Sequence, residues 1–343
     1  MNRIPSPRAQ RGFSLIELMV GVAVALIAVI VIMQVFQVFE GQRRTTTGGD
    51  DAGTTGAIAM SLLQRDLRQA GQGLSHANLL GCTLTMPNGR TVTNLSGVFI
   101  NDPTVPAGDA NTDTLRVVYG TGIGSPEGTR IQAQPAGTTY LVAAPQAFID
   151  EDFVVATPQN RGVACNVALT QVNGPPAGST VSVDVGAAGV ANGALHNWGR
   201  APVIQVYRVS NGRLVVCDFL TRDCTSAAAA NWTELADGVV SLRAQYGVDS
   251  SATMDSVVDT FDQTNNNTAC SWYRRPVLRL SLVLRNGQLE KETVTAAAPA
   301  WSGASGAAID LSGNADWQRY RYKTFESTVA LRNVTWQGVI TGC

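Results

Sequence analysis

An uncharged apolar segment near the N-terminus constrains this chain more than any other feature. It runs from Leu18 to Met33, and the apolar character continues to Phe39 with only two glutamines intervening. At about 1.5 Å per residue, some twenty helical residues span a bilayer core of roughly 30 Å. The sequence therefore predicts a membrane-spanning helix over residues 13–39.

The charges on either side of this segment predict its orientation. Asp50 and Asp51 follow it, and three basic residues precede it: Arg3, Arg8 and Arg11. Because basic residues stay on the cytoplasmic side, we expect residues 1–12 in the cytoplasm and the later chain in the periplasm, with the helix in the inner membrane. No Ala-x-Ala-like site closes the segment, so we expect the helix to be retained rather than removed as a secretory signal.

One carboxylate, that of Glu17, lies inside the apolar run, where it is costly in lipid. The residues around it, Arg11-Gly12-Phe13-Ser14-Leu15-Ile16-Glu17-Leu18, resemble the type III signal of type IV prepilins. The resemblance implies that a prepilin peptidase cuts after Gly12 and that the new terminus, Phe13, is N-methylated. It also implies that Glu17 pairs with the ammonium of a neighbouring subunit during assembly.

Physical chemistry agrees with this implied role of Glu17. Cutting the leader removes its arginines and leaves an ammonium and a carboxylate about one helical turn apart along a helix bundle. Each charge then lowers the cost of burying the other. A plain signal anchor is the simplest alternative, but it leaves the carboxylate unexplained.

The overall charge excludes one class of partner. Without the three leader arginines, the basic residues fall from 25 to 22 against 26 acidic residues, a net charge of about −4. A protein that binds nucleic acid needs a basic surface to neutralise phosphates. We therefore expect no nucleic-acid partner.

After the membrane segment, residues 41–56 are rich in Gly and Thr, which are poor helix formers, so we expect the helix to loosen or break there. From Ala57 an amphipathic helix is predicted, with Ile58, Leu62 and Leu67 on its apolar face and Gly71 at its end.

The whole chain contains 34 Gly and 14 Pro, and beyond residue 80 short apolar runs separated by Gly, Pro, Asn and Asp are typical of a β-rich body. Asn211-Gly212 predicts a hairpin turn. The predicted strands are Leu115–Tyr119, Phe153–Ala156, Val203–Val209, Leu214–Cys217, Val239–Tyr246, Val277–Leu284 and Thr328–Leu331. Residues 120–138, 171–200 and 296–315 are predicted to be long loops.

The predicted fold class is α+β with a pilin-like lollipop shape, in which a long N-terminal helix, first membrane-spanning and then amphipathic, packs on a mainly antiparallel β head. The expected divisions are a cleaved leader (1–12), the membrane helix (13–39), the break and amphipathic helix (40–75) and the head (76–343).

Fragments across the chain are similar to the PilW family of minor pilins. They are Leu62-Leu63-Gln64-Arg65-Asp66-Leu67-Arg68, Asp113-Thr114-Leu115, Leu235-Ala236-Asp237-Gly238-Val239, Gln245-Tyr246-Gly247-Val248-Asp249 and Ser327-Thr328-Val329-Ala330-Leu331-Arg332-Asn333. The resemblance implies a low-copy subunit that primes type IV pilus assembly near the tip, with other minor pilins and the major pilin as partners. It also leaves two alternatives: the related J-type pseudopilins of type II secretion, and a signal-anchored periplasmic enzyme or binding protein.

The cysteines are even in number and widely spaced: Cys82, Cys165, Cys217, Cys224, Cys270 and Cys343. In an oxidising periplasm they predict up to three disulfides, although one or two of them could be buried thiols. Cys217 is expected to pair with Cys224 because the chain between them is short. The other pairings are left open by the sequence.

Little in the sequence indicates an enzyme. His76 and His196, the only two histidines, lie in no nucleophile or metal-ligand motif. Two acidic sets could hold calcium, but neither matches an EF-hand loop, and solvated acidic loops are the preferred interpretation: Asp249, Asp255, Asp259 and Asp262; and Asp310, Asn314 and Asp316. We expect no catalytic residue, no metal, no cofactor and no small-molecule substrate.

The first testable prediction concerns leader processing. Gly12→Val should leave the leader attached and the protein stranded in the inner membrane, because a bulky side chain prevents the extended backbone from lying against the peptidase. Intact-mass spectrometry measures the N-terminus directly. Normal cleavage of the variant would refute the assignment of Gly12.

Overall fold

A computed structural model describes Gly12 and residues 14–162, 165–265, 268–303 and 309–343 of this protein. The leader arginines Arg3, Arg8 and Arg11 lie outside the described residues, as does Phe13. The chain divides into two compact units, Met1–Asp50 and Asp51–Cys343.

The first helix, α1 (Leu15–Gln69), is continuous over 55 residues. Its segment Leu15–Gly41 is long and apolar enough to cross a membrane, the one such helix among the described residues. At about 1.5 Å per residue those 27 residues extend about 40 Å, more than a bilayer core requires. Their large apolar side chains are exposed, as expected of a helix whose solvent is lipid.

The break predicted within residues 41–56 does not form, so that expectation was wrong. Gly and Thr cost a helix only about 0.5–1 kcal/mol each, which packing can offset. Ala52 is buried, and Gly56 lies so close to Phe325 that an added Cβ would be 2.1 Å from its ring. Gly56 therefore allows close packing of α1 against the head.

The buried face of α1 also differs from the predicted one. Leu67 is buried as expected, but Leu62 is half-buried and Ile58 is 55% exposed. The buried side chains are those of Ala52, Ala59, Met60, Leu63, Asp66, Leu67 and Ala70. The predicted helix end is confirmed, since Gly71 follows α1 with φ +84°, a backbone conformation that favours glycine.

Within the described residues, 17 strands follow α1, together with a short helix, α2 (Ala269–Tyr273). The strands are β1 (Thr83–Thr85), β2 (Thr91–Val92), β3 (Val98–Ile100), β4 (Leu115–Tyr119), β5 (Thr129–Ala136), β6 (Thr139–Val142), β7 (Phe153–Thr157), β8 (Asn166–Gln171), β9 (Thr180–Ser182), β10 (Ala194–Gly199), β11 (Val203–Ser210), β12 (Arg213–Asp218), β13 (Thr233–Asp237), β14 (Val239–Val248), β15 (Thr260–Asp262), β16 (Val277–Arg285) and β17 (Tyr322–Ala330).

These strands form three sheets. The first has the order β2-β1-β8-β7-β10-β5-β6-β9, the second β13-β12-β11-β4-β3 and the third β15-β14-β16-β17. The strand pairs are antiparallel except for β1 with β8. A long apolar N-terminal helix followed by a mainly antiparallel β head confirms the predicted fold class.

Each of the seven predicted strands exists, and Ser210 pairs with Arg213 across the predicted Asn211-Gly212 turn. The predictions of structureless loops were wrong in two places, because 120–138 contains β5 and 171–200 contains β9 and β10. These strands are rich in polar residues. On β10, for instance, the polar residues His196 and Asn197 are themselves buried, so no apolar alternation reveals the strand.

The described part of the head has three separate apolar clusters. The largest joins the buried face of α1 to all three sheets. The second lies in the first sheet around Ile131, Tyr140, Phe148 and Leu195, and the third is a small cluster of Val283, Ile309 and Leu311. The residues after Asp51 are therefore organised around the last turns of α1.

Three disulfides join the six cysteines. The local pair is Cys217 with Cys224, separated by 7 positions. Cys82 joins Cys165 across 83 positions, and Cys270 joins Cys343 across 73 positions.

The disulfides should differ in their contribution to stability. In the chain-entropy model the seven-position loop of Cys217–Cys224 is worth about 2.5 kcal/mol and the longer loop of Cys270–Cys343 about 4.5 kcal/mol. Replacing the first pair by Ser should therefore lower the free energy of unfolding less than replacing the second. Denaturant unfolding measures both, and non-reducing peptide mapping tests the pairing: a peptide that links Cys217 to another cysteine would contradict it.

Candidate functional site

The residues around the predicted cleavage site are open to an enzyme. Gly12 is exposed, and an added Cβ there would meet no atom within 4 Å among the described residues. Ser14 and Leu15, which follow the predicted new terminus, are exposed as well. The part of this site that falls on Phe13 lies outside the described residues.

Glu17 lies in the first turn of α1 and reaches back to its start. The Ser14 N–H donates to Glu17 Oε2 at 3.1 Å, while the Leu18 N–H donates to the Ser14 carbonyl at 3.2 Å. This is one half of a capping box, with Ser14 at the cap position. An anionic side chain there is also favoured by the positive end of the helix dipole. In the isolated chain, therefore, Glu17 has an internal partner.

The last turns of α1 are held in the head by a buried carboxylate. Asp66 accepts hydrogen bonds from the hydroxyls of Tyr119 on β4, at 3.2 Å, and Tyr207 on β11. Burial raises the pKa of Tyr119 to about 12 and that of Tyr207 further still, so both hydroxyls remain donors. The second sheet is thereby fixed against the helix.

Side chains near β17 bind the same helix from the third sheet. Gln64 donates to the Ser327 hydroxyl at 2.7 Å, and the Asn333 amide donates to the Gln69 carbonyl at 3.0 Å. Asn333 thus satisfies carbonyl groups that a helix C-terminus leaves without internal donors.

Asp113 joins the second and third sheets. It is buried and accepts hydrogen bonds from the Ala244 N–H at 3.0 Å and the Gln263 amide at 2.8 Å, and it pairs with the buried Arg243. A single carboxylate before β4 is thus bonded to β14. No local sequence pattern predicts this role, although Asp113 lies in the family-like fragment Asp113-Thr114-Leu115.

A second buried ion pair, Arg116 with Asp102, lies in the second sheet. Arg116 Nη2 also donates to the carbonyls of Thr93 and Asn94, each at 2.8 Å. Burial lowers the pKa of Arg116, and the Asp102 carboxylate opposes that shift. These contacts order the loops before β3 and after it.

The two histidines lie near each other, with ring centroids 5.5 Å apart. His196 is buried beside the Thr157 hydroxyl at 3.2 Å, and burial lowers its pKa to about 3. His76 accepts the Asn78 N–H at 3.2 Å at the rim of a polar cavity of about 260 Å³. One ring nitrogen of each histidine, His196 Nε2 and His76 Nδ1, therefore has a hydrogen-bonding partner.

The acidic sets considered for calcium have other partners in the structure. Asp249 accepts backbone N–H groups from Ser251, Asp255 and Ser256 and pairs with Arg274. Asp310 accepts the Ser312 N–H at 2.9 Å. No group of three or more His, Cys, Asp or Glu suited to a metal occurs in the part of the chain that the structure describes.

The role of Asp66 can be measured. Asp66→Ala should lower the free energy of unfolding by about 2–4 kcal/mol, because the hydroxyls of Tyr119 and Tyr207 lose the carboxylate that accepts their hydrogen bonds. Arg65→Ala is the control: the Arg65 side chain is 62% exposed, so its pair with Asp66 should contribute less than about 1 kcal/mol. Denaturant unfolding of the detergent-solubilised protein compares them. Equal losses of unfolding free energy in the two variants would argue against a role of Asp66 in holding α1 to the head.

Comparison with known families places these features in context. The model described as Type IV Pilus-assembly protein W matches residues 206–333, and the Prokaryotic N-terminal methylation motif matches residues 7–33. A solved structure, the Type IV-like pilin TTHA1219 from Thermus thermophilus, is similar at 10% identity and a TM-score of 0.32, covering 82% of this chain and 96% of that chain. No curated protein sequence gives a significant match.

The two family matches fall on different parts of the chain. The methylation motif covers Gly12 and Glu17 at the start of α1. The pilus-assembly domain extends from β11 to Asn333 and so includes Tyr207, Ser327 and Asn333, all of which bind the last turns of α1. This chain therefore combines an N-terminal methylation motif with a C-terminal region similar to the Type IV Pilus-assembly protein W family.

Proposed function

We propose that this chain is a minor pilin, a structural subunit that primes type IV pilus assembly and lies at or near the pilus tip with other minor pilins. The observation that carries the proposal is the presence, in one chain, of an N-terminal methylation motif and a pilus-assembly domain. Such a motif implies processing and assembly with other pilins. We propose prepilin peptidase, other minor pilins and the major pilin as its partners.

The N-terminus suits this role. In the proposed pathway the uncut protein waits in the inner membrane, with its head in the periplasm. Cleavage after Gly12 then creates an ammonium at Phe13. That ammonium and the Glu17 carboxylate of a neighbouring subunit would compensate each other in the apolar interior of a helix bundle.

The size of the head favours a position at the end of a filament. The second unit spans Asp51–Cys343. A compact body of that length has a radius of gyration of about 19 Å. Helices crowd together along a filament axis, and heads this large tile poorly along the shaft. At the tip, the packing of large heads is not limited in this way.

We also propose that the protein is not an enzyme and needs no cofactor. Three buried carboxylates of the head bind its own segments: Asp66 holds α1, Asp113 joins two sheets and Asp249 closes its own loop. These carboxylates thereby have structural roles. A pseudopilin of a type II secretion system is the alternative role, and filament composition separates it from a pilus subunit.

Replacement of Glu17 tests the proposed assembly step. Glu17→Val should be cleaved normally but should enter filaments at least about tenfold less, because the neighbour's ammonium is left unpaired in an apolar surrounding. Mass spectrometry of the membrane-bound protein measures cleavage, and immunoblotting of sheared pili measures incorporation.

The matched control is Glu40→Gln, which removes a carboxylate at the far end of the same apolar segment. It should be incorporated normally. Normal incorporation of Glu17→Val would contradict the proposed pairing. If the wild-type protein were found only with secretion components, a pseudopilin role would replace the pilus role.

A further inference from the structure

The third sheet has a long outer strand, β17, that pairs on one side only. It contains nine residues, and its register with β16 is unbroken from Val277 opposite Ala330 to Arg285 opposite Tyr322. The other outer strands of the described sheets are shorter: β2, β3, β9, β13 and β15 have two to five residues. The edge of β17 is therefore the longest of its kind in the described structure.

The backbone groups on this edge can be assigned from the ends of the ladder. The Leu331 N–H donates to the Pro276 carbonyl, and the Asn286 N–H donates to the Arg321 carbonyl. Because bonded positions alternate in an antiparallel pair, the odd-numbered residues of β17 face β16 and the even-numbered ones face outward. The outward N–H and C=O groups of Thr324, Glu326 and Thr328 bond to no backbone group among the described residues.

Features that normally protect an outer strand are missing here. Such strands are usually short, bulged or interrupted by proline, or they place charged side chains over the edge. β17 has no proline and no bulge. Its charged side chains are directed elsewhere, since Lys323 lies beside Gly53 of α1 and Glu326 accepts the Ser302 N–H at 3.1 Å.

The position of the edge indicates what could reach it. β17 lies alongside the part of α1 that belongs to the head: Phe325 packs against Gly56, and Ser327 is hydrogen-bonded to Gln64. The N-terminal methylation motif implies assembly with other pilins, so the heads of such pilins are the bodies considered as neighbours of this strand. Unpaired N–H and C=O groups at alternate residues are complementary to another extended backbone and to little else.

We propose that the free edge of β17 binds an extended segment of a neighbouring pilin-like subunit, which adds a fifth strand to the third sheet. The proposal rests on the assembly role proposed above and identifies the contact surface in the head. Since a low-copy subunit meets other pilins rather than itself, the occupant is a different pilin and not a second copy of this chain.

Proline at an outward position tests the proposal with little effect on the fold. Thr328 is exposed, and Thr328→Pro removes its outward N–H while leaving the bonds to β16 in place. Thr328→Ala is the matched control, because it changes the side chain and keeps the N–H. Thr324→Pro and Thr324→Ala repeat the comparison at the other end of the edge.

The measurement is capture of other pilins by the full-length, processed protein from cross-linked inner membranes. Each Ala variant should capture pilins as the wild type does. Each Pro variant should capture about tenfold less, the effect expected for the loss of roughly one backbone hydrogen bond with added steric conflict. Melting temperatures within about 3 °C of the Ala controls establish that the heads remain folded.

The possible failures can be told apart. If the Pro and Ala variants captured equal amounts of pilin at both positions, the proposal that the β17 edge is the contact surface would be overturned. A photo-reactive residue at position 328 that linked two copies of this chain would overturn the choice of occupant. If the wild type kept its leader and captured no pilin, the proposed function would fail, and the inference with it.

Discussion

The buried contact between Asp66 and the hydroxyls of Tyr119 and Tyr207 determines how the head is built on α1. A carboxylate without partners in an apolar core would cost several kcal/mol. Here its acceptors are satisfied by two strands of one sheet, so that sheet can pack on the helix in one register. The Asn333 amide fixes the final turn of the same helix from the opposite end of the chain.

The last turns of α1 thus act as the common support of segments that are distant in sequence. Strands β4 and β11 meet the helix through Asp66, and β17 meets it through Gln64 and the close approach at Gly56. The disulfide from Cys270 to Cys343 then keeps the C-terminal residues on the body. These contacts explain physically why family-like fragments are scattered along the sequence: several of them supply the groups that hold the helix.

The sequence predicted those features that depend on local chemistry. The apolar run, the Asn211-Gly212 hairpin and the strands with continuous apolar side chains need no information from elsewhere in the chain. The continuity of α1 through residues 41–56 could not be predicted in this way, because its glycines suit a contact with Phe325 that lies far along the sequence. Strand β10 was missed because His196 and Asn197 are buried polar residues and mimic a loop pattern.

The internal bond of Glu17 bears on how assembly could be both favourable and selective. In the isolated chain its carboxylate accepts a neutral N–H from Ser14, so the charge already has one partner. A bond between an ammonium and a carboxylate adds the Coulomb attraction of two opposite charges, which a carboxylate that accepts a neutral N–H lacks. In the proposed assembly the Glu17 carboxylate exchanges the Ser14 N–H for a neighbour's ammonium. The free energy gained is therefore only the difference between the free energies of the two bonds. Lipid surroundings enlarge that difference, because they penalise the unpaired ammonium most. The exchange becomes available only when cleavage has created the ammonium, so the same carboxylate can cap the helix before processing and bind a neighbour after it.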